Sequence, residues 1–434
     1  MLRKIVKALI PRQLFKKIEP YGHLAEAVLA NVINGFPARG LKVIGVTGTD
    51  GKTTTATLIY TMLNNSGHKT GLMTTIGYGT PDNWHDNYVH MTTVSSFNLM
   101  KRIKELKAQG IDWLVLETTS HALAQNRVWG IPYSVAVMTN VTHEHLDYHG
   151  TFERYRDAKL RLFKLANQNR RGLRAGIINA EDVSAELFAG AVKNPILYGL
   201  ATGDLRAENV QTSGQGSMFK AVYKNRNIDL TLNLPGQFNI ANALAAVGVG
   251  LAIGLKDNQI ATGIAALKNV EGRMNTIDEG QDFSVIVDFA HTPDSFEKIL
   301  SDLRSSTKGR LIAVFGSAGR RDEAKRSAQG QIAGKYGDLV VVTEEDDRDT
   351  DGNTIMIQIA EGAGRSGKRE GEDLFMIHDR TKAIQYAVDQ AKSGDTVVLL
   401  GKGHEKTMES ADGEHPWDEL AVARQAIRNR LDKQ

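Results

Sequence analysis

The sequence contains no cysteine, which excludes disulfides, thiolate metal sites and a thiol nucleophile. That absence fits a reducing compartment, and a cytoplasmic location is expected. No apolar run reaches the roughly 18–20 residues needed to cross a bilayer. Excess charge of either sign is small: the net charge is +3, so global electrostatics give no reason to expect a nucleic-acid partner. Internal repeats and extended low-complexity segments are also lacking. What remains is an ordinary globular composition, 41% hydrophobic and 24% charged. It is spread over 434 residues, too many for one core, so two or three domains are expected.

The N-terminus carries Lys4, Lys7, Arg12, Lys16 and Lys17 ahead of an apolar stretch, Leu24–Phe36. Leu24, Val28, Val32 and Phe36 recur at helical spacing, while Glu26, Asn31 and Asn34 interrupt the other face. A signal peptide fits poorly, because the apolar part comes late and runs into a strand. The expectation is an amphipathic helix packed on the next domain, with a membrane-surface or partner helix as the alternative.

From Leu41 to about Asn179, short apolar runs alternate with helical patterns. Val43–Thr47, Leu72–Thr75, Trp113–Glu117, Val135–Thr139 and Gly176–Asn179 read as strands buried on both faces of a parallel sheet. Thr54–Asn64, Phe97–Ala108 and Phe152–Leu165 read as helices between them. Alternation within Leu205–Leu234 predicts short antiparallel strands, and helices are expected over Asn239–Ile253 and Asn258–Leu267. A second series follows Arg273, with strands near Ser284–Asp288, Leu311–Phe315, Leu339–Thr343 and Thr396–Leu400 and a last helix over Glu419–Leu431. The expected fold is α/β: an N-terminal helical segment (1–40), a central P-loop domain on a parallel sheet (41–272) and a Rossmann-like C-terminal domain (273–434).

Gly48-Thr49-Asp50-Gly51-Lys52-Thr53-Thr54 follows a strand and opens a helix, the context a phosphate loop requires. Glycines admit backbone N–H groups to phosphate oxygens, Lys52 reaches the β and γ phosphates, and the Thr53 hydroxyl suits Mg²⁺. Val46 replaces the first glycine of the strict pattern, so the loop is a variant. Glu117 ends a strand, where a carboxylate is either a Mg²⁺ ligand or a capping residue. Thr142–His149 packs His143, His145 and His149 with Glu144 and Asp147, which suggests metal or phosphate chemistry or else a solvated polar loop. Lys159, taken alone, is a surface lysine on an amphipathic helix.

In the second series, Asp288-Phe289-Ala290-His291-Thr292-Pro293 could hold a ribose and a phosphate or be structural. The acidic run Glu344–Asp349 is either a solvated loop or a collector of ammonium groups. Backbone N–H groups of Gly401-Lys402-Gly403-His404-Glu405 could hold a carboxylate, and Glu405 an amine.

Taken in order, these motifs resemble the Mur ligase family, most closely its branch that adds the third peptide residue in peptidoglycan synthesis. The resemblance runs from about Val43 to the C-terminus. It includes Gly48–Thr54, Glu117–His121, Gln125-Asn126-Arg127, His145–Gly150, Gly236–Asn242, Gly272-Arg273-Met274, Asp288–Pro293, Lys325-Arg326 and Gly401–Glu405. It implies a ligase that joins a carboxylate to an amine with ATP, through an acyl phosphate, and that acts as a monomer on small molecules.

By the same resemblance, Gly48–Thr54, Asn239, Asn242, Arg273, Asp288 and His291 bind ATP. Thr53, Glu117, His145 and Lys159 hold two Mg²⁺ ions, Lys159 after carbamylation by CO₂. Thr92, Thr93, Thr119, Gln125 and Arg127 contact the muramyl-peptide acceptor. Arg321, Asp346, Arg348, Gly401 and Glu405 surround the incoming amino acid, expected to be diaminopimelate or lysine. Two departures stand out. About forty residues precede the phosphate loop where the family carries a uridine-binding domain, so a lipid-linked or poly-amino-acid acceptor is the alternative. Glu345-Asp346-Asp347-Arg348 replaces the usual Asp-Asn-Pro-Arg, and the acid before Arg348 could pair with it.

Overall fold

The computed structural model describes residues 12–87, 92–142, 144–213, 215–320 and 323–433. The chain forms two compact units. The first comprises Met1–Val210, Phe219–Thr231 and Ile240–Ala266, and the second Gln211–Met218, Leu232–Asn239 and Leu267–Gln434.

The described chain starts with helix α1 (Arg12–Ile33) and strand β1 (Lys42–Thr47). Next come α2 (Lys52–Asn65), β2 (Thr70–Met73), β3 (Gly77–Thr80), β4 (Asn83–Asp86), α3 (Ser96–Ala108) and β5 (Trp113–Glu117). Then follow α4 (Ser120–Ala124), β6 (Tyr133–Met138), α5 (Leu146–His149), α6 (Phe152–Gln168), β7 (Ala175–Asn179), α7 (Ala185–Ala189) and β8 (Asn194–Gly199). Strands β9 (Leu205–Ser213), β10 (Gly216–Tyr223) and β11 (Arg226–Leu232) precede helices α8 (Gln237–Ile253) and α9 (Asp257–Ala266).

These eleven strands form one sheet in the order β11-β10-β9-β8-β7-β6-β1-β5-β2-β3-β4. Strand β1 pairs in parallel with β5 on one side and β6 on the other. All of β5 and β6 is buried, as is β1 after Lys42, because helices cover both faces; this is why the strands read as unbroken apolar runs. The chain runs outward from β1 toward β2, then returns to lay β6 on the opposite flank. The order therefore reverses at β1, and the carboxyl ends of β1, β5 and β6 are where a parallel sheet of this kind takes its ligand.

The second unit holds β12 (Asn275–Ile277), β13 (Ser284–Asp288), α10 (Pro293–Ser306), β14 (Leu311–Phe315), α11 (Ala324–Tyr336) and β15 (Leu339–Val342). It continues with α12 (Gly352–Arg365), β16 (Leu374–Met376), α13 (Arg380–Gln390), β17 (Thr396–Leu400), β18 (Thr407–Ser410), β19 (Gly413–Pro416) and α14 (Glu419–Leu431). Its six-stranded sheet has the order β12-β13-β17-β14-β15-β16. All its pairings are parallel except β12–β13. Separate apolar cores lie on its two faces, one around Phe296, Phe315 and Ile359, the other around Val285, Ile384 and Ile427.

The N-terminal helix packs on a different stripe from the one its apolar spacing predicts. Val32 is 56% exposed, whereas His23, Ala27, Ala30 and Asn31 are buried. Small side chains at Ala27 and Ala30 permit close approach. The Asn31 amide nitrogen donates to Ala27 O at 3.0 Å and to Trp129 O at 2.9 Å, while its buried Oδ1 has no hydrogen-bond partner among the described residues. The expected strand Leu72–Thr75 sits slightly earlier, at Thr70–Met73.

Candidate active site

Gly51 caps α2 in the left-handed region, with φ 78°. A Cβ there would lie 2.4 Å from Asn242 Oδ1, and one on Gly48 would lie 1.8 Å from Thr139 Oγ1. Both positions thus demand glycine, on conformation at the first and on space at both. The loop is braced from β6: Thr139 Oγ1 donates to Asp50 O at 2.6 Å, and the Asp50 N–H donates to Asn140 Oδ1 at 2.9 Å. Lys52 Nζ donates to Thr49 O at 2.6 Å. Thr54 is buried in the first turn of α2, and Thr55 donates to Asn242 Oδ1 at 3.1 Å. Asn239, one turn earlier on α8, donates to Pro235 O at 2.6 Å.

Glu117 ends β5 fully buried. Its Oε2 accepts from the Thr53 hydroxyl at 2.9 Å and from the Thr75 N–H at 3.1 Å. Both partners are neutral. Hard oxygen ligands beside a phosphate loop are the donor set a magnesium ion takes. Lys159 is likewise buried, on α6, and its Nζ donates to Gly48 O at 2.5 Å. Its Nζ also lies over the Tyr155 ring, 4.4 Å from the centroid. Burial, then the neighbouring Lys52 charge, drives the Lys159 pKa well below the ordinary lysine value. Tyr155 itself shares a 3.0 Å hydrogen bond with Thr49 Oγ1.

His145 adopts a left-handed conformation, φ 55°, just before α5. Its ring centroid is 4.8 Å from that of His121 and 6.1 Å from that of Tyr155, and its Nε2 is 3.6 Å from Glu144 Oε2. His149 Nε2 is bonded to Ser120 Oγ at 3.1 Å. A chain of hydrogen bonds leads away from Glu117: Thr93 Oγ1 donates to Glu117 O, Arg127 Nη1 to Thr93 O, and Gln125 Nε2 to Tyr148 Oη. Thr119 and Thr92 join it through Thr93 and Thr75 respectively. Glu117, Lys159, His145 and the acceptor candidates therefore gather at the ends of β1, β5 and β6. No role was expected of Thr75, Tyr155 or Tyr148: Tyr148 lies inside the His145–Gly150 motif, and the other two were signalled only by proximity in sequence to the motifs.

In the second unit, Asp288 is buried at the end of β13, where burial raises its pKa against the opposing effect of Arg273. It accepts from the N–H groups of Met274 at 2.8 Å and Ala290 at 2.7 Å. The Arg273 guanidinium stacks on Phe289, 4.6 Å from the ring centroid, and His291 Nδ1 meets Phe289 O at 2.9 Å.

The acidic run after β15 is not a solvated loop. Glu345 and Asp346 are buried, and Asp346 Oδ1 accepts from Lys402 Nζ at 2.8 Å and from the Glu409 N–H at 2.9 Å. Lys402, completely buried, also donates to Glu405 Oε2 at 2.6 Å. Gly401 lies against the carboxylate of Glu345. Arg348 does not pair with Asp347, the acid directly before it: it binds Glu409 Oε2 at 2.7 Å and its Nη2 lies 3.9 Å from Asp346 Oδ2, while Asp347 binds His378 Nε2 at 3.0 Å. Arg321 and His143 lie outside the described residues.

The first unit is thus built around a phosphate loop at a sheet switch point, and its class is that of nucleotide-dependent enzymes. The Mur ligase middle domain matches residues 46–250, and the Mur ligase glutamate ligase domain matches 272–403. The chain is 41% identical to a UDP-N-acetylmuramyl-tripeptide synthetase of Roseiflexus sp. (strain RS-1), covering 94% of this chain and 82% of that one. It is 37% identical to a UDP-N-acetylmuramoyl-L-alanyl-D-glutamate–2,6-diaminopimelate ligase of Bacillus cereus, covering 94% and 82%. A solved structure of a ligase with that same diaminopimelate title superposes with a TM-score of 0.63 at 31% identity, over 91% of this chain and 79% of the other. The chain belongs to the Mur ligase family, the ATP-dependent amide-bond ligases of peptidoglycan synthesis.

Proposed function

We propose that this ligase adds a diamino acid, meso-diaminopimelate or L-lysine, to the D-glutamate carboxylate of a muramyl dipeptide. The observation that carries the reading is the Thr53–Glu117 contact beside the buried Lys159, at one end of the β1–β5–β6 sheet. A carboxylate oxygen of the acceptor attacks the γ-phosphorus of ATP, ADP leaves, and an acyl phosphate forms. The amine nitrogen of the amino acid then attacks the acyl carbon, loses a proton and expels phosphate. Such a reaction asks the protein mainly for positioning and charge neutralisation.

In this reading Lys52 and the loop N–H groups hold the phosphates. Thr53, Glu117 and His145 hold magnesium, which when bound screens the phosphate charge. Lys159 joins them as a carbamate. Only a neutral amine attacks CO₂, and burial next to Lys52 favours the neutral form. Thr92, Thr93, Thr119, Gln125 and Arg127 hold the acceptor. In the second unit, Asp346, Arg348, Gly401 and Glu405 form the amino-acid pocket, with Arg348 suited to a distal carboxylate. A nucleotide-free acceptor is the second reading, and the uncharged exposed face of α1 favours its lipid-linked form.

The test mixes protein, ATP, Mg²⁺ and bicarbonate with UDP-muramyl dipeptide and a panel of amino acids, and follows phosphate release. Release that depends on diaminopimelate or lysine is expected. Release only with a nucleotide-free acceptor would transfer the function to the second reading.

A further inference from the structure

The solvent face of α1 is unusual for a chain that is 24% charged. Every exposed residue between Glu19 and Ile33 is uncharged: Pro20, Tyr21, Gly22, Ala25, Leu29, Val32 and Ile33. Tyr21 is 74% exposed, Leu29 51%, Val32 56% and Ile33 63%. At 100° per residue, Tyr21, Ala25, Leu29, Val32 and Ile33 fall within an arc of about 120° and extend about 18 Å along the axis. Glu19 and Glu26 are half-buried and flank this stripe, about 20–40° beyond its Ile33 edge. Trp129, whose carbonyl accepts from Asn31 on the same helix, is also partly exposed.

The charge of the flanking sequence supplies the second observation. The first 18 residues contain Arg3, Lys4, Lys7, Arg12, Lys16 and Lys17, and no acid. An uncharged, aliphatic helix face next to a purely cationic segment is complementary to one kind of surface, an apolar interior under anionic headgroups. A protein partner would need matching acids beside an apolar groove; the bilayer presents both at once. No helix among the described residues is long and apolar enough to cross a membrane, so the contact is one of lying on the surface.

We propose that α1, whose N-terminal part carries Arg12, Lys16 and Lys17, is an interfacial anchor that binds the surface of an anionic bilayer. The inference rests on this helix and its charge, and stands whether or not the ligase reading of the acceptor is correct.

Co-flotation of the full chain with vesicles tests it. About tenfold more protein is expected on phosphatidylcholine vesicles containing about 30% phosphatidylglycerol than on phosphatidylcholine alone, falling as salt is raised. The variant Leu29→Glu/Val32→Glu/Ile33→Glu should lose most of that binding while keeping its thermal midpoint. Should it unfold, Lys16→Gln/Lys17→Gln takes its place and should weaken binding several-fold. Equal recovery on the two vesicle types, or unchanged binding by the variants, would overturn the proposal. So would a self-associated protein that the triple variant turns into a monomer, which would give the face to a second copy.

Discussion

The hydroxyl of Thr53 reaches Glu117 across 2.9 Å and ties the first turn of α2 to the end of β5. Glutamine at position 117 would keep acceptance from Thr53 and Thr75 through its carbonyl oxygen but remove the charge. We expect Glu117→Gln to fold normally, to lower kcat/KM for ATP by about 100-fold or more, and to raise the Mg²⁺ concentration needed for activity. An unchanged Mg²⁺ titration would remove Glu117 from the metal site.

Lys159 should cost stability while serving activity. Its lowered pKa means that the unfolded chain binds more protons between that pKa and the ordinary lysine value of 10.5. The penalty is therefore full below the lowered pKa and fades as pH climbs toward 10.5. In CO₂-free buffer, Lys159→Met should be more stable than the parent by about 1–3 kcal/mol. That advantage should shrink at alkaline pH. Denaturant melts across pH check both the sign and the trend.

Lys159→Ala should lose ligase activity, and bicarbonate should partly restore it, the small cavity admitting a free carboxylate-like anion. Full activity without bicarbonate would end the carbamate reading.

Lys402 stands between Asp346 and Glu405 with no exposure. Removing its charge leaves two carboxylates facing each other. Lys402→Met should destabilise the second unit by about 3–5 kcal/mol and raise KM for the amino acid more than it lowers kcat. A variant with a normal thermal midpoint would contradict the burial argument.

Burial, reinforced by the Arg273 charge, lowers the pKa of His404 to about 3. The unfolded chain takes up a proton near 6.5, the folded chain only near 3, so stability falls as pH drops through that window. At about 1.4 kcal/mol per unit the loss reaches up to about 5 kcal/mol. His404→Gln should flatten the acid limb of the stability curve; an unaltered limb would place the acid sensitivity elsewhere.

The parallel strands were legible because burial on both faces writes itself as an unbroken apolar run, as in Trp113–Glu117 and Tyr133–Met138. The exposed strand Asn83–Asp86 was not, because nothing in its solvated side chains alternates. Lys159 looked like a surface residue, although it continues the stripe of Tyr155, Leu162, Phe163 and Ala166 that α6 buries. Reading that stripe through the lysine, instead of around it, would have found its burial. Lys402 carried no such signal. Its two acids lie on separate loops, and only the sheet order brings β15 and β17 to the same end.

The position of β1 between β5 and β6 also sets a schedule for synthesis. Its last residue, Thr47, pairs with Met138, 91 residues later. At roughly 5–20 residues per second, the ribosome leaves β1 without its second neighbour for roughly 5–20 s. During that time an almost wholly apolar strand has an open hydrogen-bonding edge, the template on which chains aggregate. Expression of this protein should therefore depend on translation speed and chaperone supply over residues 48–138.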